Sequence, residues 1–207
     1  MNTYSLIAML VSGAVPAPTA VVAKPLPPAA AAGFLFICLL ALLIIRPLPS
    51  AVFSSPAPWI KLAYAVSLAA AACWLLAKLA RPVSHRAWPV AAVLAVLAVM
   101  AVVGLTAVST APAELRAAAL LGQTWWVCPW LLMLVSLPAL LALLWALRGL
   151  APTDLSSAGT AAGILAGSLG AMGYALACPE NSTAFVAVWY PLGIGLTALV
   201  GRWRMPR

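Results

Sequence analysis

The chain has 207 residues, 66% of them hydrophobic and only 7% charged, with a mean hydropathy of +1.12. A soluble domain carries about 25% charged residues, so this composition excludes an ordinary soluble globule and makes a lipid bilayer the solvent. The formal charge of +8 comes from 11 Lys and Arg against three acids. These basic residues stand singly at segment ends, a pattern of membrane orientation rather than of a direct nucleic-acid surface.

In chain order, residues 1–28 read as a short tail. "SLIAMLVSGAV" (5–15) has the length of a secretory apolar core, but no basic stretch precedes it and the first charge is Lys24. The first helix is therefore expected to be uncleaved. Leu6, Ile7, Leu10 and Val11 would share one helix face, lying on lipid or offered to a protein groove. "PAPTAVVAKPLPP" then reads as an extended spacer.

A spanning helix needs about 20 mostly apolar residues. Six stretches qualify: about 29–45, 59–79, 88–108, 125–147, 156–177 and 183–201, followed by a basic tail at 202–207. The expected fold is all-α, a polytopic membrane protein with six transmembrane helices over residues 29–201. An even number puts both termini on one side. That side would carry Lys24, Lys78, Arg81, Arg86, Arg148, Arg202, Arg204 and Arg207, against Arg46, Lys61 and Arg116 opposite. Eight against three places both termini in the cytoplasm. Trp59, Trp125 and Trp126 fall at outer ends, and Trp88, Trp145 and Trp203 at inner ends, as an interfacial belt requires.

Gly159, Gly163, Gly167 and Gly170 are spaced 4, 4 and 3 and share a face of the fifth helix. Such a small-residue stripe serves close packing within the bundle or a dimer face. Pro138 and Pro191 are expected to kink the fourth and sixth helices.

Four cysteines remain. Cys38 and Cys73 lie inside the first two helices and read as small apolar fillers. Cys128 and Cys178 are each followed by proline and fall at similar depth, Cys128 one turn into the fourth helix and Cys178 at the end of the fifth. Both are expected on the extracytoplasmic side, which is oxidising in bacteria. Two thiols make an incomplete zinc site, and the one histidine, His85, is expected on the opposite side. A transient redox or metal-responsive pair at Cys128 and Cys178 stands against two unrelated buried thiols. Glu180 suits the positive N-terminal end of the sixth helix, and Asn181 or Ser182 can cap it. No acid precedes Glu114, and no carboxylate pair, histidine cluster or phosphate loop is present. The chain is expected to be no enzyme and to need no cofactor.

"CPENSTAFVAVWYPLGI" resembles a hairpin of the NrsF family, bacterial inner-membrane anti-sigma factors directed at an extracytoplasmic-function (ECF) sigma factor. The matching positions are Cys178, Pro179, Glu180, Asn181, Ser182, Phe185, Val186, Trp189 and Tyr190. "WIKLAY" (59–64) and the stretch from Leu120 to Thr153 agree as well. The resemblance implies a protein that holds a sigma factor at the cytoplasmic face. Cys128 and Cys178 would sense heavy metal or oxidant and release it. Acidic residues expected near the family's N-terminus have no counterpart in "MNTYSLIAMLVSGAV". Two other readings stand beside this one: a membrane thiol enzyme coupled to quinone, and a heavy-metal carrier with a route through Cys38 and Cys73.

Overall fold

A computed structural model describes residues 3–5, 26–40, 55–80, 85–148 and 154–205. Prolines set where most of its helices begin. α1 (Leu26–Leu40) has Pro27 and Pro28 in its first turn, and α2 (Pro56–Leu79) opens on Pro56 and Pro58. α3 (Ala87–Thr110) has Pro89 third, the short α4 (Ala113–Leu121) follows Pro112, and α5 (Cys128–Arg148) has Pro129 second. Proline suits a first turn because its φ is pre-set and its missing N–H would find no intrahelical partner there. α6 (Leu155–Ala175) and α7 (Thr183–Arg204) start on side-chain caps instead. Asp154 accepts the Ser157 N–H at 3.0 Å, and Ser182 accepts the Phe185 N–H at 3.4 Å.

Five helices, α2, α3, α5, α6 and α7, are long and apolar enough to cross a membrane. The first expected span differs. α1 begins at Leu26 rather than 29, and its 15 described residues rise about 22 Å, short of the ~30 Å hydrocarbon core. Residues 41–45 of that span lie outside the described residues, as do the 6–11 apolar face and the spacer up to residue 25. One face of α1 nevertheless packs on the bundle. Gly33 meets Ala139 halfway along α5, and Ile37 is fully buried against Gly173 near the end of α6.

α6 is the hub, packing on α2, α5, α7 and α1. Of its most apolar stretch, 67% is buried, against 17% for α3, which lies at the periphery. The glycine stripe accounts for the hub. A β-carbon on Gly159 would run into the Gly201 carbonyl, and one on Gly163 into Ala198 Cα and the Thr197 carbonyl. A β-carbon on Gly167 would lie 3.0 Å from Ile194 Cα, and one on Gly170 would run into Ser136 of α5. The stripe is an internal seam, made mainly with α7. α5 and α7 continue through Pro138 and Pro191.

Three buried hydroxyls inside the bundle close on their own helices. Ser136, Ser168 and Thr197 each donate to the carbonyl four residues back, at 2.7, 2.7 and 3.0 Å. Exposed tryptophans ring the two ends: Trp59, Trp125, Trp126 and Trp130 at one, Trp88, Trp145 and Trp203 at the other. At the second end Asp154 also accepts the Ser157 hydroxyl at 2.6 Å and an exposed ion pair from Arg86 at 3.2 Å. These bonds, the Ser157 ones foremost, hold its carboxyl below the usual carboxylate range.

Candidate functional site

The end of the bundle opposite Asp154 carries the residues of interest. The fourth helix was expected from 125, with Cys128 one turn inside it. Residues 122–127 are instead a run of turns, and Cys128 is the first residue of α5. The chain reverses at Gly122, the one positive-φ glycine among the described residues, at 55°. A β-carbon there would lie 2.8 Å from both Glu180 Cδ and Phe185 Cδ2. The turn is also tied down from outside. Glu180 accepts the Gln123 N–H at 2.7 Å and the Thr124 hydroxyl at 3.4 Å.

The expected role of Glu180, beside the dipole of its own helix, is thus not its main contact: it reaches across to the turn before α5. Ser182 does two jobs, capping α7 and donating to the Ala119 carbonyl at 2.7 Å. Trp189 Nε1 donates to the Leu120 carbonyl at 2.8 Å. Ala119 and Leu120 close α4, whose last carbonyls have no partner within the helix. The α6–α7 hairpin therefore supplies the cap that α4 lacks. Pro179 and Asn181 are exposed.

Behind this clamp lies a buried thiol pocket. Cys128 and Cys178 are both free thiols and fully buried. Tyr174 is within reach of both sulfurs, and Tyr190 neighbours Cys178. The two tyrosine rings sit 6.0 Å apart. The Tyr190 hydroxyl, fully enclosed, has no hydrogen-bond partner among the described residues. Lys61 completes the pocket. It is 1% exposed, and its ammonium donates to the Cys178 carbonyl at 3.1 Å. Cys178, Glu180 and Cys128 all lie in its electrostatic range.

The expected cysteine pair is therefore brought into one pocket, while Cys73 is exposed on α2 rather than filling the core. The side chain of Cys38 lies outside the described residues. His85 is exposed at the far end, beside Arg86. Among the described residues, no group of three or more His, Cys, Asp or Glu is placed to hold a metal ion. Sequence reasoning missed Lys61, which it counted as one basic residue at a helix end, and it missed α4. Pro112 and Gly122, bracketing "AELRAAALL", are the punctuation that marks that helix.

Fold and site together define an all-helical membrane protein with a buried dithiol pocket clamped by one hairpin. The sequence profile described as "NrsF: Negative regulator of sigma F" matches residues 10–207. The chain is 37% identical over 204 residues to the probable anti-sigma-F factor NrsF of Azospira oryzae, covering 97% of this chain and 95% of that protein. It is 36% identical over 151 residues to the anti-sigma-F factor NrsF of Caulobacter vibrioides, covering 72% and 70%. No solved structure matches. The chain belongs to the NrsF family, a regulatory family and not an enzymatic one.

Proposed function

We propose that this protein is an anti-sigma factor of the bacterial inner membrane. It sequesters an ECF sigma factor at the cytoplasmic face and releases it when Cys128 and Cys178 react with heavy metal or oxidant. Family membership supports the anti-sigma role. The observation that carries the sensing role is the enclosure of two free thiols, fifty residues apart in sequence, in one pocket.

The charge pattern supports the orientation. Lys78, Arg86, Arg148, Arg202 and Arg204 belong to the Asp154 end, and Lys61 and Arg116 to the thiol end. Basic residues favour the cytoplasmic side, so the thiols face the oxidising compartment. In this reading α1 is the sixth span, and both termini are cytoplasmic.

Either trigger is chemically complete. A two-electron oxidant takes two electrons and two protons from the thiols as the S–S bond forms. A thiophilic divalent metal displaces both thiol protons as two S–metal bonds form. Each change pulls Cys128 at the start of α5 against Cys178 after α6. Ser182, Trp189 and Glu180 tie that same hairpin to α4 and its following turn. The seam of Gly159, Gly163 and Gly167 packs α6 on α7, so movement of the hairpin reaches the opposite end as a shift of two joined helices.

The direct test is co-purification with the ECF sigma factor that the protein is proposed to hold. Retention of that factor on the membrane protein is expected. No retention, with sigma-dependent transcription unchanged on deletion of the chain, contradicts the proposal.

A further inference from the structure

Lys61 is buried where a charge is costly. It sits in the second turn of α2, near enough to the membrane boundary for a lysine to extend its ammonium to water. It does the reverse and is 1% exposed. An ammonium has three N–H donors, and among the described residues one acceptor meets them, the Cys178 carbonyl at 3.1 Å. No carboxylate comes within ion-pair distance of it among the described residues. A buried charge with so little compensation opposes folding, and an ionisable group inside a membrane span marks a functional site by default. The Tyr190 hydroxyl, equally enclosed and beside Cys178, lines the same pocket.

The acceptor is informative. Lys61 does not bond the sulfur but the backbone of the cysteine itself, in the turn that ends α6. That turn is otherwise held to its own helix by the Cys178 N–H to Tyr174 carbonyl bond at 2.8 Å. Lys61 is thus the polar tie between α2 and the backbone that carries one of the two thiols.

We infer that Lys61 is a positioning residue of the thiol site, holding the Cys178 turn closed through the Cys178 carbonyl until the cysteines are modified. The inference rests on the thiol-sensor reading above. Loss of the tie frees the turn, exposes Cys178 and moves the hairpin towards its released position without any inducer.

The test is cysteine-resolved labelling of the full chain in membranes with N-ethylmaleimide, read by mass spectrometry, beside a sigma-dependent transcription reporter. Exposed Cys73 is the internal standard. Lys61→Met should raise labelling of Cys178 about tenfold, the effect of losing one hydrogen bond to a charged group. Cys128 should rise less, Cys73 should not change, and uninduced transcription should rise. Lys61→Arg should restore both readouts. Where Lys61→Met does not fold, Lys61→Gln, an uncharged donor, should give an intermediate rise at Cys178.

Cys178 labelling at the wild-type rate in the Met or Gln variant would overturn the inference. So would an equal rise at Cys128 and Cys178 that Lys61→Arg fails to reverse, because that is general loosening. Labelling that moves as expected while transcription stays at its uninduced level leaves the tie standing and overturns the sensor reading beneath it.

Discussion

Glu180 holds a turn rather than a charge partner, and that distinction fixes what its substitutions should do. Its carboxylate receives the Gln123 N–H at 2.7 Å from the run of turns that delivers Cys128 to the pocket. Glu180→Ala leaves that amide without its partner and should cost about 1 kcal/mol, a low value because the bond is solvent-exposed. Glu180→Gln keeps an acceptor oxygen and should cost less. Thermal unfolding in detergent reads both, and equal effects would show that charge, not acceptance, matters there. Gly122→Ala strains the same point from the other side. Its φ of 55° disfavours a side chain, and the new methyl would meet Glu180 and Phe185. A loss of about 1–3 kcal/mol is expected in the same assay. Some of this site was legible in the sequence and some was not. Cys128 and Cys178 could be placed at similar depth from the span boundaries, although Cys128 was expected one turn inside its helix and is its first residue. Lys61 could not, since burial at that position depends on which face α2 turns to α6, and α2 is apolar nearly all round. The bonds of Ser182 and Trp189 were hidden for another reason: their acceptors belong to α4, a helix too short to register as a span.

Among the elements, α6 and α7 behave as one unit because their backbones touch. The contact at Gly159 and Gly201 is mutual, each glycine's missing β-carbon leaving room for the other's carbonyl. Gly163→Val must part the helices at Ala198 and Thr197 or distort them. It should cost about 1–3 kcal/mol or more, measured as a lowered unfolding temperature in detergent. A stable, wild-type-like variant would show that the seam opens freely. The four-residue spacing made the stripe visible in the sequence, yet its partner was not, since a small-residue face suits a neighbour in the bundle as well as a second copy. At the start of α6, Asp154→Ala removes the cap and should cost about 1 kcal/mol. The Asp154 carboxyl is held below its ordinary range, so its contribution is complete at neutral pH. It should fade as pH falls through the acidic range where the folded carboxyl gains its proton. A cap effect of Asp154→Ala that persists undiminished at acid pH would contradict this. Short α4 adds no buried side chain of its own. It is held by the hairpin's bonds to its last carbonyls, so it should loosen first when the hairpin moves.

For the molecule as a whole, the sequence spoke clearly about solvent and spans because bilayer crossing imposes a length and a composition that no local detail can mask. It spoke less clearly about the first span, where α1 is described for 15 residues only and packs on α5 and α6 by one face, through Gly33 and Ile37. The two ends of the molecule are chemically distinct. One gathers two thiols, Lys61, Tyr174 and Tyr190 into an enclosed pocket, and the other carries Arg86, Asp154, Arg148 and Arg202. The proposed sensor, reporting a chemical event at one end to a protein at the other, needs this division and a stiff connection between the ends. The packed α6–α7 seam is the element suited to that connection. The most direct measurement of that account is transcription from a promoter that depends on the sigma factor the protein is proposed to hold, in cells challenged with cadmium or with the thiol oxidant diamide. Cells with the unaltered chain should induce the promoter. Cells with the Cys128→Ser, Cys178→Ser double variant should keep it repressed while retaining the sigma factor on the membrane protein. Full induction in the double variant would remove the thiol pocket from the mechanism and contradict the account.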